Sequence, residues 1–246
     1  MNMNTTGAVE ISSRLNKCVF VEILPQMRAR SEIMFLDFKQ IPKRIVAYKN
    51  IKGFFNDCKK KGIDPKLAEN RQKFNDQFLE LSKKRYLIGR YAEDRIEMLR
   101  GSSIEKEGRT LHLGIDIFSK DLEDVYSPYD GVIVRIGREP GSHSYGHYVI
   151  VKHETEGLVW YSFFGHLSKN LPKLKSVIAG EKIATLGDFV DDENGGWSRH
   201  VHYQILMNLP DEGETPIGYS TKKKLKENED LFPDPNIVLR IPALKR

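Results

Sequence analysis

Seven histidines occur in the 246 residues, and all of them lie between His112 and His202. Three short clusters stand out: His112-Leu113-Gly114-Ile115-Asp116, Gly165-His166-Leu167 and His200-Val201-His202. Neutral imidazoles with a carboxylate are the donors that suit a zinc ion, so the chemistry these residues suggest first is that of a metal site. In a strand, His200 and His202 point the same way, about 7 Å apart along the chain. One of them can grip an ion while the other reaches what the ion holds. Fully extended, His112 and Asp116 would stand about 13 Å apart, too far to share an ion whose ligand bonds are about 2 Å long. A helix would bring them together, but Gly114 and the β-branched Ile115 and Ile117 make a poor helix. The spacing therefore predicts a chain that bends at Gly114, with Asp116 beginning a strand. A lone His-x-His is most often a pair of ordinary strand residues, and the weight lies in the ordered combination.

In this order, the residues from about Thr110 to Leu206 resemble the lysostaphin-type zinc metallopeptidases, also called the LytM-type peptidoglycan endopeptidases. Ser127-Pro128-Tyr129-Asp130-Gly131-Val132-Ile133 is similar to that family's turn and strand. Val149-Ile150-Val151-Lys152-His153 resembles its central strand, and Ala179-Gly180-Glu181-Lys182-Ile183-Ala184-Thr185-Leu186-Gly187 its late hairpin. The resemblance implies that His112, Asp116 and His202 hold one zinc ion per chain, with the fourth position left for water or substrate. It implies that His166 and His200 are catalytic histidines outside the ligand set, and that His153 is packed or hydrogen-bonded. His143 and His147 lie in the glycine-bracketed segment Gly141-Ser142-His143-Ser144-Tyr145-Gly146-His147. Tyr145 there, and Trp197 in the acidic loop Asp188–Trp197, are candidate substrate contacts; the alternative for Trp197 is a packing aromatic. Phe164 departs from the family, which usually has Tyr two residues before the Gly-His-Leu histidine. That removes a hydroxyl from substrate positioning and leaves the metal set intact.

The function so implied is a zinc-dependent metalloendopeptidase that hydrolyses peptide bonds in peptidoglycan cross-links or stem peptides. His200 would be the general base, and His166 would orient water or donate to the developing oxyanion, with the two roles exchangeable. Two other readings stay open: a catalytically silent member that binds and regulates a partner, and a cytoplasmic hydrolase of a non-wall substrate. Tyr86 to Arg95, Arg109-Thr110, Asn194-Gly195-Gly196-Trp197 and Pro233-Asp234-Pro235-Asn236 look more loosely like a lysostaphin-type variant of large multi-domain chains, which weakens the case for peptidoglycan. No second-metal cluster and no phosphate-cradling glycine loop is visible, and a nucleic-acid partner is not expected.

The elements that must position these residues divide into two parts. The fold class expected is α+β: a mostly antiparallel β-sheet hydrolase domain with a groove over residues 109–246, preceded by a mainly helical region over 1–108. The boundary falls in the polar, glycine-bracketed stretch 101–108. Residues 1–111 carry 23 Lys+Arg against 14 Asp+Glu, a net +9, and residues 112–246 carry 16 against 20, a net −4. A basic front part can hold an anionic surface, though a solvated helix face is the commoner origin of such an excess. Tyr48, Ile51, Phe55 and Cys58 predict a helix ending near Gly62. Asp64-Pro65 has the form of a helix start, and Phe74, Phe78, Leu81, Ile88, Ala92 and Leu99 predict one face of a long helix, broken or bent near Gly89. Residues 18–24 could be a strand. Strands are expected at 131–136, 147–153, 157–164, 181–186 and 200–206. Residues 208–230 read as a polar insertion, and Phe232 to Leu239 as a return against the β domain.

Hydrophobic content of 39% and charged content of 30% describe a soluble globular protein. Cys18 and Cys58 give no disulfide framework and are expected to be free thiols. The first ten residues lack the pattern of a secretory signal, and no apolar run is long enough for a transmembrane segment. The expectation is a cytoplasmic protein as encoded, or one that reaches the cell wall by unconventional export. The helical part is expected to act as a lid or a targeting arm, and residues 110–246 to fold alone.

Overall fold

Strict alternation builds the centre of the molecule. His200, His202 and Gln204 face one side of their strand, while Val201, Tyr203 and Ile205 join the hydrophobic core on the other, as the period of two requires. The computed structural model describes residues 14, 33–35, 60–62, 67–96, 98–99, 101–141, 144–173, 175–189 and 193–244. Within these residues, eight strands form one sheet in the order β1-β2-β4-β11-β8-β7-β6-β9. They are β1 Ile33–Phe35, β2 Tyr86–Gly89, β4 Ile115–Ser119, β6 Gly131–Glu139, β7 Gly146–Thr155, β8 Leu158–Leu167, β9 Ser176–Val177 and β11 His200–Leu206. Only the β1–β2 pair is parallel; the remaining neighbours are antiparallel. Two small ribbons flank the sheet, pairing β5 Asp124–Tyr126 with β10 Lys182–Thr185, and β3 Leu111–His112 with β12 Tyr219–Ser220.

The five expected strands are all present, with boundaries that differ by a few residues. The core side of the sheet carries Ile115, Ile117, Val149, Val151, Phe164, Val201 and Tyr203, and Val238 and Leu239 of the returning C-terminal segment pack into it as expected. The polar stretch 208–230 is structured: it supplies β12 and a helix, Leu225–Leu231, and β12 braces the strand that ends in His112. No described helix is long and apolar enough to cross a membrane.

The long helix expected through residue 99 is not what forms. Helix α1 spans Ala68–Ser82 and stops at Lys83, whose φ of 55° turns the chain left-handed while its N–H bonds to Glu80. Tyr86–Gly89 is then a buried strand lying between β1 and β4. Ile88, Ala92 and Leu99 matched a helical period by coincidence. A run of consecutive buried residues such as Tyr86-Leu87-Ile88 suits a strand covered on both faces, which periodicity alone cannot tell from a helix. The strand expected at 18–24, the helix over 48–58 and the Asp64-Pro65 start lie outside the described residues.

Candidate active site

The candidate ligands meet because of strand register. On neighbouring antiparallel strands His202 stands opposite Asp116, and the same row continues to Gly89 on β2 and Gly165 on β8. Asp116 and His202 are thus flanked on the sheet by two residues without side chains. His112 arrives from the β3–β12 ribbon through the bend at Gly114. A Cβ there would lie 2.3 Å from His202 Cε1, so the backbone can cross the ring only as glycine.

Three atoms converge: Asp116 Oδ1 lies 2.9 Å from His202 Nδ1 and 3.4 Å from His112 Nε2, and the two nitrogens are 3.1 Å apart. The outer edge of each ring fixes its tautomer. His112 Nδ1–H donates to the Arg90 carbonyl at 3.1 Å. His202 Nε2–H donates to Gln204 Oε1 at 3.0 Å, and the amide of Gln204 is oriented by its own bond to the Ile217 carbonyl. In the neutral rings, the inner nitrogens therefore carry lone pairs. Two lone pairs and a carboxylate oxygen face one another with no hydrogen between them. Such an arrangement calls for a cation, and tetrahedral ligands with bonds of about 2.0–2.1 Å stand about 3.3 Å apart. The residues fit a zinc ion.

The protonation of the site agrees. Burial chiefly, with the nearby Arg95 charge, pushes His112 down to about 3. Burial pushes the Asp116 carboxyl up, but the Arg95 guanidinium and the neighbouring imidazoles outweigh it and hold it well below the usual carboxylate range.

His166 and His200 lie beside this triangle with their rings 4.1 Å apart. Each donates Nδ1–H to a backbone carbonyl, His166 to Asn194 at 2.8 Å and His200 to Ser198 at 2.7 Å. Both therefore present an unprotonated Nε2, and that of His200 is 3.9 Å from Asp116 Oδ1. Burial lowers His200 to about 4 and His166 well below its ordinary value. His166 has φ 61°, a left-handed backbone that costs a non-glycine residue about 1–2 kcal/mol. Its N–H bonds to the Tyr145 carbonyl and its own carbonyl accepts from Gly187 N. This strain sits at a residue whose ring must face the site.

Tyr145 and Trp197 are both at the site. The Tyr145 ring lies 5.0 Å from that of His202 and 5.8 Å from that of His166. Trp197 is 9% exposed and edges both His166 and His200. Its outer side meets helix α1, where Arg71 lies 5.4 Å over the ring and donates to the Gly196 carbonyl. Asn75 on the same helix donates to Ser198 Oγ at 3.0 Å, and Gln72 accepts from Arg199 N. His153, expected to be structural, bonds to the Asp130 carbonyl and to Ser162 Oγ. His147 is partly exposed, and His143 is outside the described residues.

Residues 110–213 match the peptidase family M23. Over this segment, less than half of the chain, the sequence resembles that family. Among solved structures, a zinc-containing peptidase from Vibrio cholerae is 28% identical over 39% of this chain and 27% of its own, with a TM-score of 0.33. The catalytic domain of the antimicrobial peptidase lysostaphin from Staphylococcus simulans is 22% identical over 56% of this chain and 81% of its own, TM-score 0.36. A LytM protein from Ruminococcus gnavus is 20% identical over 65% of this chain and 55% of its own, TM-score 0.36. The match thus spans about a quarter of the Vibrio protein. No curated protein matches. The M23 segment contains all five expected metal and catalytic residues. The site also uses residues that sequence reasoning passed over. Gln204 was open to it, two positions after His202 on the same strand face. Arg95 was not, since it precedes the M23 segment and adjoins Asp116 only through the fold.

Proposed function

We propose that this M23 domain is a zinc-dependent endopeptidase whose substrate is a peptide of the peptidoglycan type. The observation that carries the reading is the convergence of His112 Nε2, His202 Nδ1 and Asp116 Oδ1 with their lone pairs turned inward. His112, Asp116 and His202 would hold the ion. Zinc supplies Lewis acidity at such a site, polarising a carbonyl and acidifying water.

The chain's own contribution is proton handling. His200 Nε2, unprotonated and next to Asp116, accepts the proton of the attacking water. The Ser198 carbonyl accepts from Nδ1–H and stabilises the imidazolium so formed. His166 has the same tautomer, so in its neutral form it accepts a hydrogen bond from water and orients it. It becomes a donor to oxyanion or leaving amine only after gaining a proton. The test is digestion of purified peptidoglycan with the full-length protein, with and without chelator, followed by mass spectrometry of the released muropeptides. Zinc-restored release of peptide fragments is expected; zinc-loaded protein that releases none would remove the peptidoglycan assignment.

A further inference from the structure

The Asp116 carboxylate divides its two oxygens. Oδ1 faces His202, His112 and His200, whereas Oδ2 accepts from Arg95 Nη1 at 2.5 Å. Arg95 is itself buried, at 3% exposure, and its Nε donates to Glu93 Oε1 at 2.7 Å. The guanidinium is therefore fixed between two carboxylates. Its backbone is equally constrained. Arg95 N bonds to the Thr110 carbonyl, Ala92 N to the His112 carbonyl and His112 N to the Glu93 carbonyl. The segment that carries Arg95 is thereby tied to the strand that carries His112.

A second observation concerns the strand next to Asp116. Gly89 is its direct partner on β2, and a Cβ at this position would lie 2.5 Å from Arg95 Nη2. The guanidinium occupies the space a side chain would fill. A charged side chain of this size does not cross a buried strand without such a gap.

We propose that Arg95 is a positioning residue for the metal site: it occupies Asp116 Oδ2, so that Asp116 binds the ion through Oδ1 alone and four-coordination is kept. The inference rests on the zinc reading of the preceding section. A carboxylate with both oxygens free can swing to grip an ion bidentately, taking up the position that water or substrate needs. A hydrogen-bonded partner behind a ligand prevents this, and loss of such partners typically weakens metal affinity about 10–100-fold. Glu93 in turn holds the guanidinium against rotation.

The experiment uses the full-length chain and two readouts: zinc affinity by chelator competition, and the visible absorption of the cobalt-substituted protein, strong for four-coordinate and weak for higher coordination. Arg95→Met is expected to bind zinc about 10–100-fold more weakly and to give a weaker, shifted cobalt band. Arg95→Lys, a point charge without the fork, should recover part of both. A wild-type protein that binds no zinc would overturn the underlying metal reading. A wild type that binds zinc, with Arg95→Met inside twofold of its affinity and with its cobalt band, would overturn the role of Arg95 alone. Should Arg95→Met not fold, Gly89→Ala decides by the same two readouts, because its methyl group displaces the guanidinium while leaving every charge in place.

Discussion

Asp116 and His202 stand directly opposite each other on β4 and β11, with Oδ1 2.9 Å from Nδ1 across a separation of 86 residues. Opposed residues on antiparallel strands hold their Cβ atoms about 4.5–5.5 Å apart, so the proposed metal site is built into the sheet itself. His202→Ala is expected to lose most bound zinc and keep its circular dichroism spectrum. Full zinc occupancy in that variant, measured by elemental analysis, would show that the ion binds elsewhere.

His200 lies on the same strand face with Nε2 3.9 Å from Asp116 Oδ1, outside the three-residue cluster. His200→Ala should retain zinc and lose roughly 10²–10⁴ in kcat, the range for a general acid–base residue. Loss of zinc in this variant, with retention in His202→Ala, would exchange the two roles.

Helix α1 grips the loop that positions the rings of His166 and His200. Asn75 holds Ser198, whose carbonyl holds His200, and Arg71 covers Trp197. Behind this loop His166 and His200 are 5% and 2% exposed, so a polymeric substrate needs the helix or the loop to move. The double variant Arg71→Ala, Asn75→Ala is expected to cleave long peptides several-fold faster at unchanged zinc content. A slower enzyme would mean that the helix braces the site and does not gate it.

The sheet bears on where a stable fragment can begin. Strand β2 covers the β4 edge, and Arg95 pairs with Asp116, yet both precede residue 110. A fragment of residues 110–246 is therefore expected to be insoluble or to bind zinc weakly, whereas one starting at residue 84 keeps both. Soluble yield and zinc stoichiometry of the two fragments decide this; equal behaviour would show that β2 is dispensable.

Burial depresses His153 to about 4, against about 6.5 in an unfolded chain. The unfolded state then binds the proton first as pH falls. The contribution of His153 is complete above pH 6.5 and drains away down to about pH 4, on the order of 3 kcal/mol in all. Melting curves at fixed zinc should show a shallower loss of stability over this window in His153→Gln than in the wild type. Parallel curves would place the titration elsewhere.

Much of this was legible in the chain. The bend at Gly114 followed from helix propensity, and the strand over 200–206 from alternation. His200 and His202 share a strand face, as a period of two demands. Tyr86–Gly89 was hidden because its buried run carries no period. Arg95 was hidden because its partner depends on tertiary structure: a strand pairing, a glycine gap and a turn at Ala92 combine to bring it to Asp116. No spacing along the chain encodes that.

The row Gly89, Asp116, His202, Gly165 has a consequence for how the sheet reaches its final alignment. A slip of one residue between β4 and β11 would turn every side chain on the moving strand to the opposite face. It would send His202 into the oily interior and bring Val201 or Tyr203 up beside Asp116. The same slip would thus ruin the ligand set and the hydrophobic layer together. A bound ion would reward only the correct alignment, so metal capture would proofread the pairing of the two central strands.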